Sequence, residues 1–380
     1  MRAVVWHGRG DVRVEDVPEP PSPGRDDVTV AVEWCGICGT DLEEWRNGPR
    51  FVPVGEPHPV TGRKAPLVLG HEVSGRIAAL GDGVSELQEG DLVALDALIY
   101  CGECWWCRRH QVTLCPQLAA IGLQADGGLA ESVTVPARMC VPVPAGVTAD
   151  TAALAEPIAV AVRALRRGRL ALNESLVVLG AGMIGIASLV VGRSMGAAPI
   201  VVAEPIASRR ELAQTLGADL TVDPREPDFI KMVRDATARR GADVAVDAAG
   251  SPDSGPAAIA AARPGGRAVV VGLASQPAQI DLFAFASAEK ELIGSLSHVW
   301  DEDFAAAVRL LADRILTAEQ VVGRRLSLEE TVDHGFTAIE DPDAAGVKVQ
   351  VSPHLRIDDD SSWRTRTVDK APFSEQGRPC

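Results

Sequence analysis

The chain has little aromatic content: one tyrosine in 380 residues, with phenylalanine, tryptophan and tyrosine together at 4%. It also lacks a surplus of positive charge, since 37 lysines and arginines face 52 aspartates and glutamates, for a formal net charge of −15. Nucleic acid or an anionic membrane would need a basic face, so neither is expected as a partner. No apolar run reaches membrane-spanning length, and Met1 to Gly10 holds no apolar stretch of signal-peptide size. A cytoplasmic location is therefore expected. The length exceeds what one core usually serves, which predicts two domains.

What the chain does have is cysteine, at positions 35, 38, 101, 104, 107, 115, 140 and 380. Without a secretion signal these read as metal ligands or free thiols rather than as a disulfide framework. Cys101, Cys104, Cys107 and Cys115 lie within fifteen residues, a spacing that can wrap one ion. A closed set of four thiolates is the pattern of a structural zinc site. Two other readings share the spacing. A ferredoxin-type iron–sulfur loop also begins Cys-x2-Cys-x2-Cys, but its last spacing is three residues and here it is seven. Disulfides are the third reading, and they suit a cytosolic chain poorly.

A second group of candidate ligands is scattered. Cys35-Gly36-Ile37-Cys38-Gly39-Thr40-Asp41 packs thiol, hydroxyl and carboxylate into seven residues; Gly70-His71-Glu72 and Leu154-Ala155-Glu156-Pro157 follow at a distance. Sulfur, imidazole and carboxylate are what an open catalytic zinc site uses, with a fourth position left for water or substrate. Cys38, His71, Glu72 and Glu156 are the candidates.

Short β-like runs separated by Gly and Pro fill residues 1–155, among them Arg2–Trp6, Val28–Glu33, Val73–Leu80 and Leu92–Leu95. After Glu156 the character changes. A helical stretch at Ile158–Arg167 leads into strands at Leu176–Leu179, Ile200–Ala203, Val244–Val246 and Arg267–Val271, alternating with helical stretches such as Ile186–Met195. That alternation predicts a parallel sheet covered on both faces, so the chain is α/β: a β-rich unit plus a doubly wound one. Beyond Ser295 a helix at Asp303–Ala312 and a strand at Val347–Val351 suggest a return to the first unit. The expected division is 1–157 with 296–355, then 158–295, and a polar tail at 356–380 that composition predicts to be disordered.

The strand Leu176–Leu179 runs into Gly180-Ala181-Gly182-Met183-Ile184-Gly185, and Glu204 closes the next strand 19 residues after the third glycine. In that context the glycine pattern predicts a dinucleotide site. Gly180 permits the turn, Gly182 admits the pyrophosphate, Gly185 lets helix and strand pack closely, and the helix N-terminus faces the phosphates. Glu204 would accept hydrogen bonds from the adenosine ribose and repel a 2′-phosphate, which favours NAD over NADP. Arg209 and Arg210 are the counter-signal, since arginine can grip that phosphate.

Together, Cys38, His71-Glu72, Glu156-Pro157, the cysteine lobe and the glycine turn resemble the zinc-dependent medium-chain dehydrogenase/reductase family up to about Pro353. Within it, Trp34–Asp41 followed by Gly48-Pro49-Arg50-Phe51 looks similar to the 2,3-butanediol and sorbitol dehydrogenase branch. The resemblance implies a GroES-like catalytic domain and a Rossmann domain, two zinc ions per chain, NAD, and a homodimer or homotetramer. It implies Cys38, His71 and Glu156 as catalytic zinc ligands, with Glu72 on the metal or beside it. Asp41 would orient His71, Thr40 would take the substrate's proton, and Ile184, Glu204, Arg209 and Leu273 would contact the cofactor. Glu43 stands where many members carry a histidine that ends the proton relay, which exchanges a pKa near 6.5 for one near 4.3. His58 is a candidate for the substrate mouth; His7, His110, His298, His334 and His354 receive no role. The expected reaction is oxidation of a secondary alcohol, a vicinal diol or polyol, to a ketone. Amino-alcohol oxidation of the threonine type, natural-product tailoring and a non-catalytic zinc- and NAD-binding protein are the alternatives.

Overall fold

Residues 1–337 and 346–355 are described by the computed structural model; the tail expected at 356–380 lies outside the described residues. The first half is built on the strand Asp27–Ile37, where Val28, Val30 and Val32 are buried and the residues between them half-buried. This alternation places one face on a core. Along its length the strand pairs antiparallel with Glu72–Leu80, Ser132–Pro136 and Lys348–Val351. Val322–Leu326 adds in parallel beyond Lys348–Val351, so the last part of the described chain completes the sheet begun by the first.

The second sheet has six parallel strands in the order Leu220–Val222, Ile200–Ala203, Leu176–Leu179, Ala242–Asp247, Ala262–Val270 and Glu291–Gly294. Leu176–Leu179 and Ile200–Ala203 are buried at every position, as strands covered on both faces must be. One face packs against the helices Ala155–Arg167 and Met183–Ser194, the other against a core that includes Phe229, Val233 and Ile259. The chain winds outward in both directions from Leu176–Leu179, so a crevice opens at the carboxyl ends of that strand and Ala242–Asp247.

Several elements differ from expectation. The stretch after the first long strand turns immediately into a helix, Gly39–Asn47, where only β-like runs are expected. Its sequence is too polar to show an apolar stripe. Its start is fixed instead by the Asp41 carboxylate, which accepts a hydrogen bond from the Cys38 backbone N–H at 2.8 Å. The strands Leu220–Val222 and Glu291–Gly294 and the helix Phe229–Ala236 also go beyond the sequence reading.

Candidate active site

Pairing in the first sheet assembles the scattered ligands. Gly36 lies opposite Glu72, which brings Cys38, just beyond the end of its strand, alongside His71. Gly36 leaves room for that carboxylate: a Cβ on it would lie 1.9 Å from Glu72 Oε2, which would have to move. Cys38, His71 and Glu72 each offer a ligand atom within 4.8 Å of the others. Asp41 Oδ1 stands 3.5 Å from His71 Nδ1, and Thr40 Oγ1 is 3.4 Å from Cys38 Sγ.

Glu156 falls outside that set. It is buried at the start of the helix Ala155–Arg167, and its Oε1 lies 3.5 Å from His298 Nδ1. Glu72 has a partner that sequence reasoning missed: Lys348 Nζ, itself buried, sits 2.6 Å from Glu72 Oε1 and donates to the Ile37 carbonyl at 3.1 Å. An alternating strand offers no sign that its lysine points inward. Glu43 is at the surface, bound to Arg50 at 2.8 Å and to Asn47 at 3.0 Å. Cys35 is buried and lies outside the set formed by Cys38, His71 and Glu72.

The electrostatics suit a bound cation. Burial alone would keep His71 neutral, but Asp41 and Cys38 outweigh it and hold its pKa well above the ordinary value. Burial raises the Glu156 carboxyl despite the nearby His298 and His71. Asp41 Oδ1, His71 Nδ1 and Glu72 Oε2 are buried with no hydrogen-bond partner. Soft sulfur, imidazole and carboxylate donors with unsatisfied buried atoms fit zinc.

The cysteine lobe fits a second ion. Cys101 Sγ lies 3.9 Å from Cys107 Sγ and 3.6 Å from Cys115 Sγ. The edge of a tetrahedron with zinc–sulfur bonds of about 2.3 Å is about 3.8 Å. All four cysteines are free of disulfides in the structure. Backbone N–H groups of Glu103 and Cys104 pull the Cys101 thiol down to about 7, while burial pushes Cys107 up to about 12 and raises Cys115, so without an ion the four sulfurs share few negative charges. Within the lobe Arg109 stacks on Trp105 at 3.8 Å, and His110 reaches out to Asp301 at 2.9 Å.

The glycine turn has the geometry of a dinucleotide cradle. Gly180 sits at φ +93°, and a Cβ on Gly185 would lie 1.8 Å from the Gly180 carbonyl oxygen. A Cβ on Gly182 would meet nothing within 4 Å, so its face is open for a ligand to approach. Glu204 is buried, accepting from the Ala181 N–H at 2.7 Å and the Ile206 N–H at 3.0 Å, which fixes its carboxylate beside the turn. Arg210 is committed to the Glu204 carbonyl at 2.7 Å, while Arg209 Nε is buried without a hydrogen-bond partner. Ile184 is half-buried in the first turn of the following helix. Leu273 is 62% exposed, and its backbone nitrogen lies 2.9 Å from where a Gly250 Cβ would be, at the carboxyl edge of the sheet.

A doubly wound sheet with this cradle, joined to a unit carrying Cys, His and Glu donors, defines the class of metal-dependent nicotinamide dehydrogenases. Residues 24–145 match the alcohol dehydrogenase GroES-like domain and residues 183–313 the zinc-binding dehydrogenase domain. The chain belongs to the zinc-containing alcohol dehydrogenase family. It is 32% identical to (R,R)-butanediol dehydrogenase of Neisseria gonorrhoeae, over 93% of this chain and 100% of that one. The crystal structure of 2R,3R-butanediol dehydrogenase from Bacillus subtilis superposes with a TM-score of 0.86 at 30% identity, over 93% and 99% of the two chains. A protein described as a zinc-binding dehydrogenase from Sinorhizobium meliloti 1021, bound to NADP, superposes at 0.83 with 30% identity over the same shares. Among the described residues no helix is long and apolar enough to cross a membrane.

Proposed function

We propose that the chain oxidises a secondary alcohol, a vicinal diol or polyol of the 2,3-butanediol kind, reversibly to a ketone with NAD. The observation that carries this is the convergence of Cys38, His71 and Glu72 within 4.8 Å, with the Thr40 hydroxyl 3.4 Å from the Cys38 sulfur. The names of the relatives support the substrate class.

Cys38 and His71 hold the metal, and Glu156 or Glu72 completes its shell. When bound, zinc supplies Lewis acidity toward the alcohol oxygen, and NAD supplies the hydride acceptor. Asp41, 3.5 Å from His71 Nδ1, would orient the imidazole. Thr40 takes the alcohol's proton. Glu43 follows three residues later on the same helical face and passes the proton to solvent, held in place by Arg50 and Asn47. Lys348 engages Glu72 through Oε1 and leaves Oε2 without a hydrogen-bond partner. Gly180, Gly182, Ile184, Gly185, Glu204, Arg209 and Leu273 line the cofactor's path, and Cys101, Cys104, Cys107 and Cys115 hold a structural zinc. The working division is a catalytic unit of residues 1–157 with 296–355 against a cofactor unit of 158–295. The resemblance to the family supports a homodimer or homotetramer acting in the cytoplasm.

The test is a panel of vicinal diols, polyols and threonine, read by NADH absorbance, with zinc measured on the same sample. Diol oxidation by chains holding two zinc ions is expected; oxidation of threonine alone would overturn the substrate class. Cofactor choice gives a second expectation. Like charges brought together cost several kcal/mol, and each 1.4 kcal/mol is tenfold, so kcat/KM for NAD should exceed that for NADP by about 10²-fold. Glu204→Ser should bring the ratio toward one, and an unchanged ratio would remove Glu204 as the selector.

A further inference from the structure

His298 has no place in the sequence reading, yet it is fully buried and touches the site. It arrives four residues after the outer strand Glu291–Gly294 of the parallel sheet. Its Nε2 lies 2.8 Å from Asp96 Oδ1, and Asp96 follows the strand Leu92–Leu95 of the other unit. Its Nδ1 has no hydrogen-bond partner and stands 3.5 Å from Glu156 Oε1. Neither His298 nor Asp96 has measurable exposure. The segment carrying His298 is anchored on both sides. Asp303 takes the Val299 N–H at 2.8 Å and pairs with Arg166 and with Arg163, and Asp301 reaches His110 on the cysteine lobe at 2.9 Å. Phe304 lies against the imidazole with ring centroids 5.3 Å apart.

A buried ion pair of His298 and Asp96 would need nothing further to be a structural element. The arrangement does more, because the second ring nitrogen is left unpaired and aimed at a carboxylate of the site. Burying such a group is costly unless something uses it. We propose that His298, held by Asp96, is a positioning residue that fixes the Glu156 carboxylate for the catalytic metal and couples it to the cofactor-side segment 295–304. This rests on the reading that Glu156 belongs to the zinc shell. Glu156 lies on the first turn of a helix, outside the set formed by Cys38, His71 and Glu72; His71 and Lys348 also act on its charge, but among the described residues its ion pair is with His298. His298 supplies that constraint from a segment that nicotinamide binding at the sheet's carboxyl edge would load.

The test compares His298→Phe, which keeps a ring against Phe304, with Asp96→Asn and Glu156→Gln. Zinc retention is measured in the full chain against a chelator, and the visible spectrum is recorded after cobalt replaces the catalytic zinc. Loss of an outer partner to a metal ligand costs about 10- to 100-fold in affinity. His298→Phe and Asp96→Asn should weaken the catalytic site by that factor and shift the cobalt bands, while the cysteine-lobe zinc stays as in the parent, which also shows that the variants fold. The double variant His298→Phe/Glu156→Gln should be no weaker than Glu156→Gln alone. Unchanged retention and spectrum in both His298→Phe and Asp96→Asn, with Glu156→Gln altered, would overturn the positioning role and leave Glu156 as a ligand. No change in any of the three would overturn Glu156 as a ligand and the positioning role with it.

Discussion

Cys38→Ala is expected to remove one zinc per chain and to lower diol oxidation by on the order of 10³-fold, while the cysteine lobe keeps its ion. The two candidate sites share no residue, so metal analysis separates them. Lewis-acid stabilisation of a developing alkoxide is worth several kcal/mol, and about 4 kcal/mol corresponds to that loss of rate. The fold should be spared. The Cys38 backbone N–H, which starts the helix Gly39–Asn47 through Asp41, is unaffected by a change of side chain. Zinc content measured beside NADH formation decides the matter. A variant that loses activity but retains both ions would make Cys38 something other than a ligand, and one that loses both ions would report general unfolding.

Lys348→Met should have the largest effect on stability. The lysine ammonium lies 2.6 Å from Glu72 Oε1, and both side chains are at most 3% exposed. Burial alone would lower the lysine pKa, but Glu72 and Cys38 outweigh it and raise it, so the ammonium persists in the interior. Removing one partner of a buried pair leaves an uncompensated charge, at a cost of about 3–5 kcal/mol. Urea unfolding of the zinc-loaded chain would measure it. Adding Glu72→Gln to Lys348→Met should recover much of the loss, because the stranded charge is gone. If the double variant is as unstable as the single one, packing of the lysine stem rather than charge explains the defect.

The parallel sheet was readable because its inner strands are short, wholly apolar and regularly separated by helices. Val177, Val178, Val201 and Val202 cannot face water on either side, and they do not. The cysteine lobe was readable for another reason: its four ligands are local, so spacing alone carries the geometry. Legibility fails where partners are remote. Lys348 meets Glu72 across 276 residues, and His298 meets Asp96 across 202. Neither pairing leaves a periodic mark, and a lone histidine or lysine is indistinguishable from a solvated one until the sheets are assembled. The helix Gly39–Asn47 was missed because its buried residues include Asp41 and Glu44. Glu44 is held by backbone N–H groups of Arg50, Phe51 and Val52, a polar interior that hydropathy patterns cannot show.

The strand Lys348–Val351 lies between Asp27–Ile37 and Val322–Leu326, so the place beside the long strand of the first sheet is filled by almost the last described residues. A ribosome releasing this polypeptide emits the thiol, imidazole and carboxylate donors early but the strand that closes over them some three hundred residues later. The cofactor-binding sheet, contiguous in sequence, can form from its own residues, whereas the first sheet must wait for Lys348–Val351. A chain ending before Lys348 would leave Glu72 without its counter-ion.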